Sequence, residues 1–269
     1  MANEAIAKNG DPGHRPVRRW PTRHGALILL AIGAYAICVD LAEVDLHRLW
    51  VGLPKLAHWL GRAWPPDLTD LGLLLFRAAE TVAMATVGTS LGIVIAAPIC
   101  LYAARNVTPS ALLYYPARWL LNLLRGIDSF VFALLFVAAV GLGPFAGVLG
   151  IGLHSAGSIA KLWSETMEGM VPGPLEAIAM TGASRFKLIV YGVVPELLPM
   201  LLSTSLYIWE FNIRSSTVLG LVGAGGIGQD LKNSVDLLDF SSVLTIILII
   251  LAMVTAIDQT SAWLRKRMT

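Results

Sequence analysis

Six apolar stretches dictate what this chain can fold into. Residues 25–39, 81–104, 116–140, 145–163, 197–211 and 243–257 form the cores of segments with few charges, and a bilayer span takes roughly 20 apolar residues. Composition agrees, because 56% of the chain is hydrophobic and 14% charged, against about 25% charged in soluble domains. A segment alone in lipid satisfies its backbone only as a helix. The chain therefore reads as an all-α integral membrane protein with about six transmembrane helices, and its 269 residues leave no room for a sizeable soluble domain. Cys38 and Cys100 both fall in apolar runs and read as buried thiols rather than a disulfide framework. Nothing in the charge distribution points to nucleic acid.

Lysine and arginine placement orients the spans, since short cytoplasmic segments carry the excess. Residues 1–24 hold Arg15, Arg18, Arg19 and Arg23 among prolines and glycines, and read as a cytoplasmic N-terminal tail. Asp40, Glu43 and Asp45 follow the first run, so that run leads outward. It is taken as a retained anchor ahead of a cleaved signal peptide, for which Ala34-Tyr35-Ala36 would be the cleavage site. The membrane domain then covers 25–269, with its core at 72–264 and a polar cytoplasmic loop at 164–196. Arg265-Lys266-Arg267 places the C-terminus inside as well.

Residues 41–70 are broken by Trp50, Pro54, Trp59, Trp64, Pro65 and Pro66, and read as an external loop with interfacial helical pieces. Residues 71–80 form an amphipathic lead-in to the second span. Arg125 and Asp128 interrupt the third span at i,i+3 and are expected to neutralise each other. The fifth span ends near Glu210, and 212–240 is expected as an external glycine-rich loop able to dip back into the membrane.

Gly223-Ala224-Gly225-Gly226-Ile227-Gly228 matches G-x-G-x-x-G, but a dinucleotide site also needs a βαβ unit and an acidic residue about 20 positions on. A hinge or broken helix accounts better for these glycines. There is no G-x-x-x-x-G-K-[ST], no H-E-x-x-H, and no metal-ligand spacing among the five histidines. No catalytic residue, metal or cofactor is expected, and His154 alone in a span is first a packing or hydrogen-bonding residue.

The polar loop has more shape. Pro174 suits a first helical turn, 175–181 a short helix and Gly182 its stop. Ser184 offers an N-cap for a second helix from Arg185 to about Val194, ending before Pro195. Ala177, Ile178, Met180 and Phe186 would form an apolar knob with charged shoulders.

Glu176-Ala177-Ile178, Gly182 six residues after the glutamate, and Val194-Pro195 resemble the EAA loop of permease subunits in ATP-binding cassette importers, whose pattern is E-A-A, three residues, G, nine residues, I-x-L-P. The departures are Ile178, Gly192 and Val194. In that family the loop seats a coupling helix in a cleft of the ATPase, so the resemblance implies coupling roles for Glu176, Ala177, Gly182, Arg185 and Pro195. It extends over about 80–269 and is greatest to phosphonate-type permeases, through Glu80-Thr81, Met84-Ala85, Gly88-Thr89, Ala103-Ala104-Arg105-Asn106, Gly141-Leu142-Gly143-Pro144, Leu153-His154-Ser155-Ala156-Gly157, and Trp209 to Gly228. At Arg125-Gly126-Ile127-Asp128 the proline frequent in related permeases is missing, and with it an expected kink.

The resemblance implies a type I ABC importer permease fold in a bacterial inner or plasma membrane. It implies a homodimer with an ATPase dimer inside, which hydrolyses ATP in a separate subunit, and a solute-binding protein outside. The implied cargo is a phosphonate, phosphite or related phosphorus oxyanion. Pathway or gate candidates are His154, Ser155, Glu210, Asn212, Arg214, Ser215, Gly223, Gly225 and Gly226. Internal pairing of Glu210 with Arg214 is the competing account of those two. Other readings are a permease for methionine or another small solute, and a membrane-embedded enzyme using His154 with Glu165 or Glu210 as acid and base.

Overall fold

The computed structural model describes residues 22–108 and 110–268, so most of the expected 1–24 tail lies outside the described residues. All regular structure among the described residues is helical. Contacts divide the chain into two units, Met1–Ala57 and His58–Thr269. In the first, α1 (Thr22–Leu41) is apolar, with its described side chains exposed. α2 (Leu46–Arg62) starts in this unit and crosses its boundary. Asp45 begins α2 by accepting the backbone N–H of His47 at 2.8 Å and of Arg48 at 3.1 Å, a capping arrangement. At 3.6 residues per turn, His47, Arg48, Lys55, His58 and Arg62 share one side of α2, while Leu46, Leu49, Leu53, Leu56 and Leu60 occupy the other. One amphipathic helix thus replaces the separate interfacial pieces expected.

The second unit is built on α3 (Leu71–Ala103), which joins the expected lead-in and second span into one helix. Its main neighbour is α6 (Pro144–Glu168), and small residues let the two backbones approach. A Cβ placed on Gly92 would stand 2.7 Å from Ser155 Cβ, and one on Gly88 2.8 Å from Ile151 Cβ. The apolar core continues through Ala96, Cys100, Leu121, Ile159, Trp163 and Leu201.

The expected third span is not one helix. α4 (Ala111–Gly126) and α5 (Ser129–Val140) meet at 85°. Arg125 and Asp128 do not form the expected pair. Asp128 instead caps α5, accepting the Phe130 N–H at 2.9 Å, and Arg125 makes no ion pair among the described residues. Ile127 and Asp128 are extended, so the two side chains leave the helical register that would have brought them together.

In the polar loop, α7 (Pro172–Met180) is followed by Gly182 at φ +74°, the left-handed stop expected of glycine. The expected break before Pro195 is absent. α8 (Arg185–Leu188) passes through a π-turn at Ile189–Val193 into α9 (Val194–Leu219). Pro195 comes just after the π-turn, whose wider winding leaves room for the proline ring.

α9 also outruns the expected end of the fifth span. Asn212, Arg214 and Ser215 are therefore helical and not in an external loop. A 3₁₀ turn (Gly220–Val222), a glycine turn, α10 (Ile227–Asp236) and α11 (Phe240–Met268) complete the chain. Four helices are each long and apolar enough to cross a bilayer, and six spans result if each bent pair counts as one.

Candidate functional site

Asn212 is the polar centre of the bundle. Its Nδ2 donates to Thr89 Oγ1 at 2.8 Å and to Ser155 Oγ at 2.7 Å, joining α9 to α3 and α6, and all three residues are buried. Thr89 donates its own proton to Ala85 O at 2.7 Å, so the atom facing Thr89 must be the amide nitrogen. That fixes the amide orientation and leaves Asn212 Oδ1 buried without a partner.

Asn212 also lines a cavity of about 330 Å³ whose other polar walls are Arg125, His154, Ser158 and Tyr207, closed by Leu162, Ile208 and Phe211. The break between α4 and α5 shapes it. Gly157 lets the end of α4 lie on α6, since a Cβ there would meet Arg125 N at 2.7 Å. His154 Nδ1 stands 2.9 Å from Ile127 O in the break. A carbonyl only accepts, so Nδ1 carries the proton and Nε2 is left over. The lining holds a guanidinium, two hydroxyls and an imidazole, and no carboxylate, a set suited to an anion.

A second polar group packs the glycine turn. Thr81 Oγ1 donates to Arg77 O and accepts Ile227 N–H, both at 2.9 Å. A Cβ on Gly226 would overlap Thr81 Oγ1, and one on Gly228 would overlap Thr217 O. Arg77 pairs with Glu80 at 2.9 Å and lies 3.6 Å from Asp230. The Asp230 carboxyl is pushed above its ordinary value first by burial, with Arg77 opposing and Glu80 adding.

The candidates therefore separate. His154 and Asn212 meet at the cavity, with Ser155 behind them as the acceptor for Asn212. Glu210 and Arg214 belong to an ion cluster, in which Glu210 takes Arg214 at 2.9 Å and Arg265 at 3.1 Å. Gly225 and Gly226 are buried in the turn and Gly223 is half-buried there, while Ser215 does not line the cavity. Glu176, Ala177, Gly182, Arg185 and Pro195 are exposed, as are Met180 at 89% and Phe186 at 75%, so the apolar knob stands uncovered. Arg125, Ser158 and Tyr207 are the cavity residues that sequence reasoning missed. Ser158 is one helical turn from His154 and could have been found by that spacing; Tyr207 carried no comparable signal.

Residues 88–269 match the family of binding-protein-dependent transport system inner membrane components. The chain is 48% identical over 243 residues to HtxC of Stutzerimonas stutzeri, a candidate phosphite transport system permease, covering 90% of this chain and 86% of that one. It is 39% identical to the phosphite transport system permease PtxC of the same organism, over 85% of this chain and 83% of that one. Identity to the phosphate-import permease PhnE of Mycolicibacterium smegmatis is 41%, over 96% of this chain and 49% of that protein. A solved structure of the MetNI methionine ABC transporter, in inward-facing conformations, aligns with a TM-score of 0.67 at 23% identity, over 76% of this chain and 99% of that one; it bears on the fold alone.

Proposed function

The chain belongs to the binding-protein-dependent transport system inner membrane component family, and from that premise we propose that it carries phosphite, a phosphonate or a related phosphorus oxyanion across the membrane. It is a membrane-spanning permease component of an ABC importer. The observation that carries the choice of cargo is its 48% identity with the phosphite-type permease HtxC across nine-tenths of the chain. Supporting this, the residues lining the cavity beside Asn212 include hydroxyl donors and an arginine that has no ion pair, and no acidic residue, among the described residues. His154 and Asn212 are assigned to the pathway, while Glu210, Arg214 and the turn at Gly223, Gly225 and Gly226 act as fastenings that gate it.

In this reading both termini are cytoplasmic, and the exposed loop with Glu176, Ala177, Gly182, Arg185 and Pro195 docks on an ATPase dimer that hydrolyses ATP. A solute-binding protein delivers the anion from the other side. The pathway lies between two permease copies, because one bundle of about six helices encloses no continuous hydrophilic route. A pairing with a different permease is the second reading, favoured by the chain's 48% identity with HtxC and 41% with HtxE, two permeases of one organism. The mass of the purified complex separates the two. A membrane enzyme using His154 and Glu210 is disfavoured, since Glu210 is held by two arginines away from the cavity.

The deciding experiment is uptake of labelled phosphite and of a short alkylphosphonate by the complex reconstituted with its ATPase and binding protein. ATP-dependent accumulation of either is expected. No accumulation of any phosphorus oxyanion with loaded binding protein present overturns the assignment of cargo.

A further inference from the structure

We propose that the cavity between α4, α6 and α9 is a stopping place for one small phosphorus oxyanion that still carries an acidic proton, a proposal that rests on the transport reading above. The observation that starts it is Arg125. Its expected partner, Asp128, is taken by the cap of α5, and Arg125 is left among the residues lining the cavity with no ion pair among the described residues. An unpaired arginine in a membrane-spanning region calls for a functional account. Its planar fork matches two oxygens of a tetrahedral oxyanion.

A second, independent observation concerns acceptors. Asn212 Oδ1 is buried and unpartnered, and its orientation is fixed by the Thr89–Ala85 bond. His154 has Nδ1 committed to Ile127 O, which leaves Nε2 as an acceptor when the ring is neutral. A fully deprotonated anion offers no proton to that neutral ring nitrogen. A monoanion with one P–OH suits this wall: its bare oxygens take Arg125 and the hydroxyls of Ser158 and Tyr207, and its proton goes to Nε2 of the half-buried His154. Sulfate, of the same shape but without that proton, leaves the His154 acceptor unmet, and a site built to hydrogen-bond a ligand proton rejects the analogue lacking it.

The site is also shallow enough to release its occupant. Conduction needs binding that admits the anion without trapping it. Among the described residues Arg125 is the only arginine or lysine on the wall, and it is exposed.

The test uses the assembled complex in proteoliposomes with saturating binding protein and ATP, and purified complex without binding protein for ³¹P line-width measurements of phosphite. Arg125→Gln is expected to lower maximal phosphite uptake about tenfold or more, while ATP hydrolysis still responds to binding protein, and Arg125→Lys is expected to recover part of the loss. Tyr207→Phe is expected to lower uptake in the same sense. Broadening of the phosphite line should vanish in Arg125→Gln and persist when equimolar sulfate is added to wild type. Unchanged uptake in both Arg125→Gln and Tyr207→Phe, with wild type importing normally, overturns the subsite. Displacement of phosphite by equimolar sulfate overturns the selection for a protonated anion. Failure of wild type to import any phosphorus oxyanion overturns the transport reading, and the subsite falls with it.

Discussion

Asn212 Nδ2 lies 2.7 Å from Ser155 Oγ, a bond between residues 57 positions apart that fastens α9 to α6 at the level where Thr89 fastens it to α3. Both hydroxyls are buried, so neither finds water when the amide is removed. Asn212→Leu is expected to lower the stability of the detergent-purified protein by about 1–2 kcal/mol, the scale of an interhelical hydrogen bond in a membrane protein plus an unmet acceptor. Thermal unfolding followed by far-UV circular dichroism measures it, and a double-mutant cycle with Ser155→Ala should show coupling.

The glycine turn is expected to tolerate no side chain at its contact points. Gly228→Ala puts a methyl on Thr217 O, and overpacking of this kind costs about 1–3 kcal/mol. Gly72→Ala meets nothing within 4 Å and serves as the control, with unchanged yield and unfolding midpoint.

Glu210 holds Arg214 and Arg265 together. Glu210→Gln should loosen α11 from α9, with a loss of about 1–3 kcal/mol for charge-assisted bonds. Hydrogen exchange by mass spectrometry should show faster exchange confined to the last turns of α11. Uniform exchange across the protein would count against a local fastening.

The exposed loop can be tested without knowing the cargo. Gly182 has φ +74°, a conformation a β-branched residue rarely adopts, so Gly182→Val should misplace α7 while the spans still insert. Glu176→Arg should reverse the charge at the tip. Both are expected to abolish ATP hydrolysis stimulated by binding protein, read as phosphate release from the reconstituted complex.

The apolar runs made the all-helical membrane architecture legible, with four qualifying helices and two bent pairs where six spans were expected, and Gly182 was legible as a helix stop because its conformation is a property of one residue. The break at 126–128 was not. Arg125 and Asp128 at i,i+3 satisfy a helical pairing rule, but aspartate is also an N-cap residue, and the cap prevailed. The end of α9 was misplaced for a related reason. Glu210, Asn212 and Arg214 look like the polar border of a span; the Glu210–Arg214 pair is local at i,i+4, but the other partners, Arg265 for Glu210 and Thr89 and Ser155 for Asn212, lie on other helices, which no local pattern displays. Pro195 looked like a stop, and only the π-turn before it let the helix run on. Of the cavity, His154 and Asn212 could be named from the sequence, whereas Arg125 joined them only through the 85° turn between α4 and α5.

The uninterrupted run from Arg185 to Val222 has a mechanical meaning. Its 38 residues make a rod of about 57 Å, with the polar loop at one tip, Tyr207 and Asn212 along its side, and the glycine turn at the other tip. Two features disturb its regularity, the π-turn at Ile189–Val193 and Pro199 inside α9. One helical run thus carries the polar loop, part of the cavity wall and the approach to the glycine turn.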